Sequence, residues 1–267
     1  MINHKSYPKI LAEKDEYRTD PSKASWLGRR LFYFNLLNVV ADSNLKAKKK
    51  IYTRYNWVDA SLGTIDAMEK AGLDLHITGM NNIKSFDGPA VFIGNHMSTL
   101  ETLAMPAMIQ PVKPVSFVIK KELAVYPLFG PVVSARHPII VGRSNAREDL
   151  KLVMDEGAAR LKEGRSILIF PQRTRSKYFE VSKFNSLGIK LAKRNNVYVV
   201  PFALLTDAWP NGNLIKEVGK LDQSKKVRFA FGEPFKVETN GTEENERVIN
   251  FIKSKLIEWG REEYIMD

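Results

Sequence analysis

The sequence predicts an α/β fold, a mixed sheet with helices on both faces, preceded by an N-terminal helical pair. Two observations carry that prediction. From Leu75 onward, short apolar runs alternate with stretches of helical period, the rhythm of strands and helices layered around one core. Ahead of them stand two helical stretches with no strand signal between.

In chain order, residues 1–25 are charged, contain two prolines and lack apolar periodicity, which reads as a polar arm, either loose or strapped down. From Trp26 the pattern Trp26-Leu27, Leu31-Phe32-Tyr33-Phe34, Leu36-Leu37 and Val39-Val40-Ala41 describes a helix that is apolar around most of its circumference, with Arg29 and Arg30 at its start. It is too short to span a bilayer. It suits either an interfacial helix with arginines in the headgroup layer or a buried core helix. The cluster Lys46-Ala47-Lys48-Lys49-Lys50 follows, a solvated face that also attracts anionic lipid. Ile51, Tyr55, Val58, Leu62, Ile65 and Met68 then mark a second amphipathic helix, stopped by Gly72.

The division expected is therefore a polar arm at 1–25, a membrane-associating helical motif at 26–72 and an α/β domain at 73–267. Strands are expected near 75–79, 90–94, 115–119, 138–141, 166–170, 197–204 and 227–231, with helices after His96 and near 145–163, 184–195 and 243–260. Ser144 is the expected cap of the helix at 145–163 and Gly164 its stop, which places Arg143 just before a helix N-terminus, where anions bind readily.

Composition narrows the partners. With 267 residues, 44% of them hydrophobic and 27% charged, the chain is long enough for one sizeable core. A formal charge of +11 calls for an anionic partner: nucleic acid, a phosphorylated metabolite or a negative membrane surface. Nucleic acid ranks last, because no recognition module or aromatic stacking platform is visible. The absence of cysteine removes disulfides, thiolate metal sites and a cysteine nucleophile, and no His/Asp/Glu cluster has metal-ligand spacing. No N-terminal signal and no long apolar run are found, so the expectation is a soluble or membrane-surface protein.

Chemistry gathers at strand ends. Asn95-His96-Met97-Ser98-Thr99-Leu100-Glu101 follows the apolar run Ala90–Gly94, releasing a histidine with a carboxylate five residues on. Histidine is suited to removing a proton from a hydroxyl, and a carboxylate on its other ring nitrogen fixes the tautomer. Ile139-Ile140-Val141-Gly142-Arg143, then Phe170-Pro171-Gln172-Arg173-Thr174-Arg175-Ser176, then Val199-Val200-Pro201-Phe202 follow in that order. The third stretch presents guanidinium forks and a hydroxyl suited to phosphate. Loops at the carboxyl ends of strands line the ligand crevice of an open α/β sheet, so these stretches can converge.

Over roughly residues 75–235 the ordered set resembles the glycerolipid acyltransferase family, the lysophosphatidate (1-acylglycerol-3-phosphate) acyltransferases and their relatives. Asn95-His96-x4-Glu101 matches the family's Asn-His-x4-Asp, Val141-Gly142-Arg143 its apolar stretch ending in Asp-Arg, Phe170–Ser176 its Phe-Pro-Glu-Gly-Thr-Arg-Ser, and Val200-Pro201 its later Val-Pro. Lys120-Lys121-Glu122-Leu123, Pro127, Gly130, Phe184 and Gly188 also fall where the family has similar residues.

The resemblance implies transfer of an acyl group from acyl-CoA or acyl-carrier protein, as a substrate and with no cofactor, to the free hydroxyl of a lysophospholipid in phospholipid biosynthesis. His96 would be the base and Glu101 its orienter. Arg143, Gln172, Arg173, Thr174, Arg175 and Lys120 would bind substrate. The protein would lie peripherally or monotopically on the cytoplasmic face of an anionic membrane. Four positions depart from the pattern: Glu101 for aspartate, Gln172-Arg173 for Glu-Gly, and Gly142 for aspartate. They leave open a different glycerol-phosphate acceptor, or a silent lipid-binding module of the same fold.

Overall fold

Ala90–Gly94 is apolar and buried at every position, as a strand covered on both faces must be, and it is the centre of the sheet (β3). The structure is a computed structural model describing residues 14–142, 144–172, 174–212 and 218–267. Around β3 run β1 (Tyr17–Arg18), β2 (Asp74–Thr78), β4 (Val115–Lys120), β5 (Ile139–Val141), β6 (Ser166–Ile169), β8 (Tyr198–Leu205) and β9 (Lys226–Phe231), in the order β1-β2-β9-β8-β3-β6-β4-β5. A separate two-residue parallel pair joins β7 (Phe179–Glu180) to β10 (Ile265–Met266) near the end of the chain. The large sheet is mixed, as expected: β8–β9 and β1–β2 are antiparallel and the remaining pairs parallel.

Helices cover both faces. Against one lie α1 (Trp26–Lys48), α2 (Arg54–Lys70) and α3 (Leu100–Ile109), which bury Phe32, Leu36, Ile65, Met68, Leu100 and Met105 with sheet residues such as Phe92 and Phe202. Against the other lie α4 (Ala146–Lys162), α5 (Leu187–Asn195) and α6 (Thr242–Glu258), with Val153, Ile189, Val248 and Ile252 packed on Val91, Ile93 and Val199. Each fully buried side chain of this size contributes about 1.5–3 kcal/mol. The inner face of the α1–α2 pair thus belongs to the same apolar cluster as the sheet.

The two faces of the first helix differ. Gly28, Phe32, Leu36 and Val40 face inward, while Trp26, Leu27, Phe34, Leu37 and Leu45 are each more than half exposed. Gly28 is required by proximity: a Cβ there would lie 2.2 Å from the Lys70 carbonyl oxygen at the end of α2. The helix also runs beyond the apolar stretch ending at Ala41, so that Lys46 and Lys48 form its last turn, where cations complement the helix dipole. Among the described residues, no helix is long and apolar enough to cross a membrane.

Of two local details, the first follows one of the expected alternatives and the second differs from expectation. Residues 14–25 are strapped down: β1 pairs antiparallel with β2, the Tyr17 hydroxyl donates to buried Glu69, and Lys23 Nζ pairs with Glu69 at 2.7 Å. The cap of α4 is Asn145, not Ser144. Its Oδ1 accepts from the backbone N–H groups of Arg147 and Glu148, whereas Ser144 lies one residue outside the helix start. Gly164, at φ +76°, ends that helix as read.

Candidate active site

Where β3 ends, the chain has no room for a side chain. A Cβ at Gly94 would lie 2.2 Å from the Phe202 ring and 2.3 Å from the Phe202 carbonyl oxygen. Asn95 then extends the ladder with its side chain, donating from Nδ2 to Leu204 O (2.9 Å) and accepting at Oδ1 from Leu204 N (2.8 Å). This double clamp locks the strand end from which His96 departs.

The next five residues turn back into α3, and Glu101, on its first turn, folds its carboxylate over that turn. Oε1 accepts from His96 Nδ1 at 2.9 Å and from the N–H groups of Met97 and Ser98 at 2.7 and 2.8 Å. Oε2 accepts from Ser98 Oγ at 2.7 Å and Thr206 Oγ1 at 2.6 Å. A fully buried carboxylate is costly unless its lone pairs are met, and here five donors among the described residues meet them. Burial alone pushes this carboxyl up; the hydrogen bond and charge of His96, with the bonds from Thr206 and Ser98, outweigh it and hold Glu101 below the ordinary glutamate range. The extra methylene relative to aspartate is accommodated because the side chain reaches back from a helix N-terminus.

An ionised carboxylate only accepts, so Nδ1 carries the proton and the basic lone pair is on Nε2. The ring stacks on Phe170, with centroids 4.0 Å apart and planes at 16°. The third motif also grips the histidine by its backbone: His96 N donates to Gln172 Oε1 (3.1 Å), and Ser176 N donates to His96 O (2.9 Å). Gln172 is buried, and its Nε2 donates to Tyr178 O at 3.1 Å. An ionised glutamate could not make that second bond, which gives the departure at 172 a physical reason.

The other predicted residues are placed as follows. Arg175 is half-buried beside the turn, donating from Nη1 to Thr99 Oγ1. Thr174 is exposed next to it. Lys120 ends β4 in register with Val141, two strands from β3 and thus about 10 Å across the sheet. Arg143 and Arg173 lie outside the described residues. At Gly142, a carboxylate stands close by after all: Asp149 Oδ1 accepts from Gly142 N at 2.9 Å. His96, Arg175, Lys120 and Gly142 therefore share the carboxyl-end side of the parallel strands, where such sheets bind ligands. Reading by motif missed Thr206, whose partner Glu101 lies 105 residues away, and assigned no part to Ser98 or Phe170.

A protein-family model described as Acyltransferase matches residues 74–205. The 1-acyl-sn-glycerol-3-phosphate acyltransferase of Pseudomonas aeruginosa is 32% identical over 152 residues, covering 57% of this chain and 57% of that protein. The chloroplastic 1-acyl-sn-glycerol-3-phosphate acyltransferase LPAT1 of Arabidopsis thaliana is 31% identical over 134 residues, 49% of this chain and 36% of that one. The chain thus spans about half the length, or less, of these curated relatives. The crystal structure of the 1-acyl-sn-glycerophosphate acyltransferase PlsC from Thermotoga maritima superposes with a TM-score of 0.62 at 18% identity, covering 87% of this chain and 94% of that one, a likeness of fold.

Proposed function

Given a chain that belongs to the glycerolipid acyltransferase family, we propose that it moves a fatty acyl group from acyl-CoA or acyl-carrier protein to the free hydroxyl of a lysophospholipid, 1-acylglycerol-3-phosphate foremost. His96 Nε2 takes the hydroxyl proton as the oxygen attacks the thioester carbonyl. The tetrahedral intermediate collapses, expelling the donor thiolate, which recovers the proton from the imidazolium. Glu101 holds the Nδ1–H tautomer and stabilises the transient positive charge. Arg175, with Arg143, Arg173, Thr174 and Lys120, holds the acceptor phosphate, and Gln172 serves from behind by fixing the His96 backbone.

The observation that carries this reading is the 2.9 Å contact between His96 Nδ1 and a fully buried Glu101 at a strand end. The exposed face of α1, with Lys46 and Lys48 at its end, rests on the cytoplasmic side of an anionic membrane. Replacing Phe34 and Leu37 by aspartate should abolish flotation with anionic vesicles while leaving the circular dichroism unchanged; equal flotation would remove the membrane role of that face. The activity itself is tested by incubating purified protein with labelled acyl-CoA or acyl-carrier protein and a panel of lysophospholipids. Label should appear in phosphatidate; transfer to none of them from either donor would contradict the proposal.

A further inference from the structure

Glu101 has one carboxylate oxygen that His96 does not use, and part of what holds it comes from a distant strand. Oε2 accepts from Ser98 Oγ and Thr206 Oγ1, and these two hydroxyl oxygens lie 3.0 Å from each other. Both residues are completely buried. Thr206 stands at the end of β8, one residue beyond the stretch matched by the family model. Its neighbour is anchored in turn: Asp207 Oδ2 accepts from Tyr264 Oη at 2.8 Å and from Lys225 Nζ at 2.6 Å. Burial and Asp207 push the Tyr264 phenol up to about 12, so it remains a proton donor at neutral pH. The strand end that carries Thr206 is thus tied to the segment near the end of the chain.

A glutamate is one carbon, about 1.5 Å, longer than an aspartate and has one more rotatable bond, so its carboxylate is harder to aim. We propose that Thr206, with Ser98, is a positioning clamp that makes a glutamate serviceable at this site, holding Oε2 so that Oε1 points at His96 Nδ1. The clamp acts through Glu101 and touches no substrate. Removing it lets the carboxylate turn away from Nδ1, so the imidazolium loses part of the charge and hydrogen bond that stabilise it. The protonated ring then gives up its proton more easily, and the acid limb of the rate profile moves to lower pH.

The inference rests on the proposed acyl transfer, and its test separates the two. In purified Thr206→Val, kcat should fall about 10- to 100-fold with the KM values little changed, as misaimed catalytic groups cause. The acid limb should move to lower pH, and Thr206→Ser should restore most of the turnover. In a Glu101→Asp background, whose carboxylate ends short of Thr206, Thr206→Val should cost less than about twofold, since two residues acting through one contact are not additive. Thermal unfolding of each variant distinguishes loss of fold from loss of aim. An acid limb that stays put or moves up, or the same penalty in both backgrounds, would overturn the clamp. If the unmodified protein transfers no acyl group, the proposed function fails, and the clamp is then judged on the pH titration of the His96 ring by NMR: a lower midpoint in Thr206→Val supports it, an unchanged or higher one refutes it.

Discussion

Two histidine–glutamate pairs in this molecule look alike in distance and differ in nearly everything else. His96 Nδ1 lies 2.9 Å from Glu101 Oε1, and His76 Nε2 lies 2.7 Å from Glu16 Oε1. The imidazoles are about equally exposed, at 15% and 16%, whereas the carboxylates are exposed 0% and 54%. Glu101 is bound by five donors inside a turn locked by Asn95. Glu16 shares its oxygen with Arg18 at the edge of the sheet, and the Arg18 hydrogen bond, then that of His76, holds its carboxyl down. Burial, with the charges of Arg18 and Arg228, lowers His76 against the hydrogen bond and charge of Glu16. The difference teaches that a His–Glu contact becomes chemical equipment only when the carboxylate is buried and fully bonded, so that its charge acts on the imidazole with little solvent screening.

Substitution at the two pairs should break the likeness. His96→Ala is expected to lower acyl transfer by about 10²–10⁴-fold, the range for a general base, with the fold intact. His76→Ala should stay within about twofold. Near-normal turnover in the first, or a comparable loss in the second, would equate the two sites. Glu101→Gln should cost about 10²-fold, because an amide carries no charge to stabilise an imidazolium and no longer enforces one tautomer. Glu16→Gln should leave turnover unchanged in the same assay.

Acid unfolding gives a smaller contrast with a defined sign. The folded-state pKa of Glu101 is depressed below the ordinary value of 4.5, so its contribution to stability is complete above that pH and is lost as pH falls through the depressed value. The unfolding midpoint of the unmodified protein should therefore decline more steeply with acid than that of Glu101→Gln. Parallel curves would mean that the carboxylate is no better stabilised in the fold than outside it. Glu16→Gln is the smallest case, with no measurable change in the curve, since an exposed ion pair contributes little.

Much of this was legible from local pattern. Continuous apolar runs announced β3 and β6, helical spacing announced α2, and motif order located His96 and Glu101 at a strand end. Other features depend on distances that sequence order hides. Thr206 reaches Glu101 only because β8 lies beside β3, and Gln172 has its role because one amide must accept from His96 and donate to Tyr178. β1 is two residues long and polar, so its place on the sheet comes from Tyr17 and Lys23 meeting Glu69. The Asn145 cap shows the limit at element ends, where two capping residues stand side by side and backbone geometry chooses one.

The two pairs use opposite ring nitrogens, and this permits a direct test within one sample. ¹⁵N NMR of the histidine rings at neutral pH should find His96 protonated at Nδ1, leaving Nε2 as the base, and His76 protonated at Nε2 toward Glu16. A His96 ring protonated at Nε2 would place the proton on the atom that has to accept one, and would contradict the assignment of His96 and Glu101 as base and orienter.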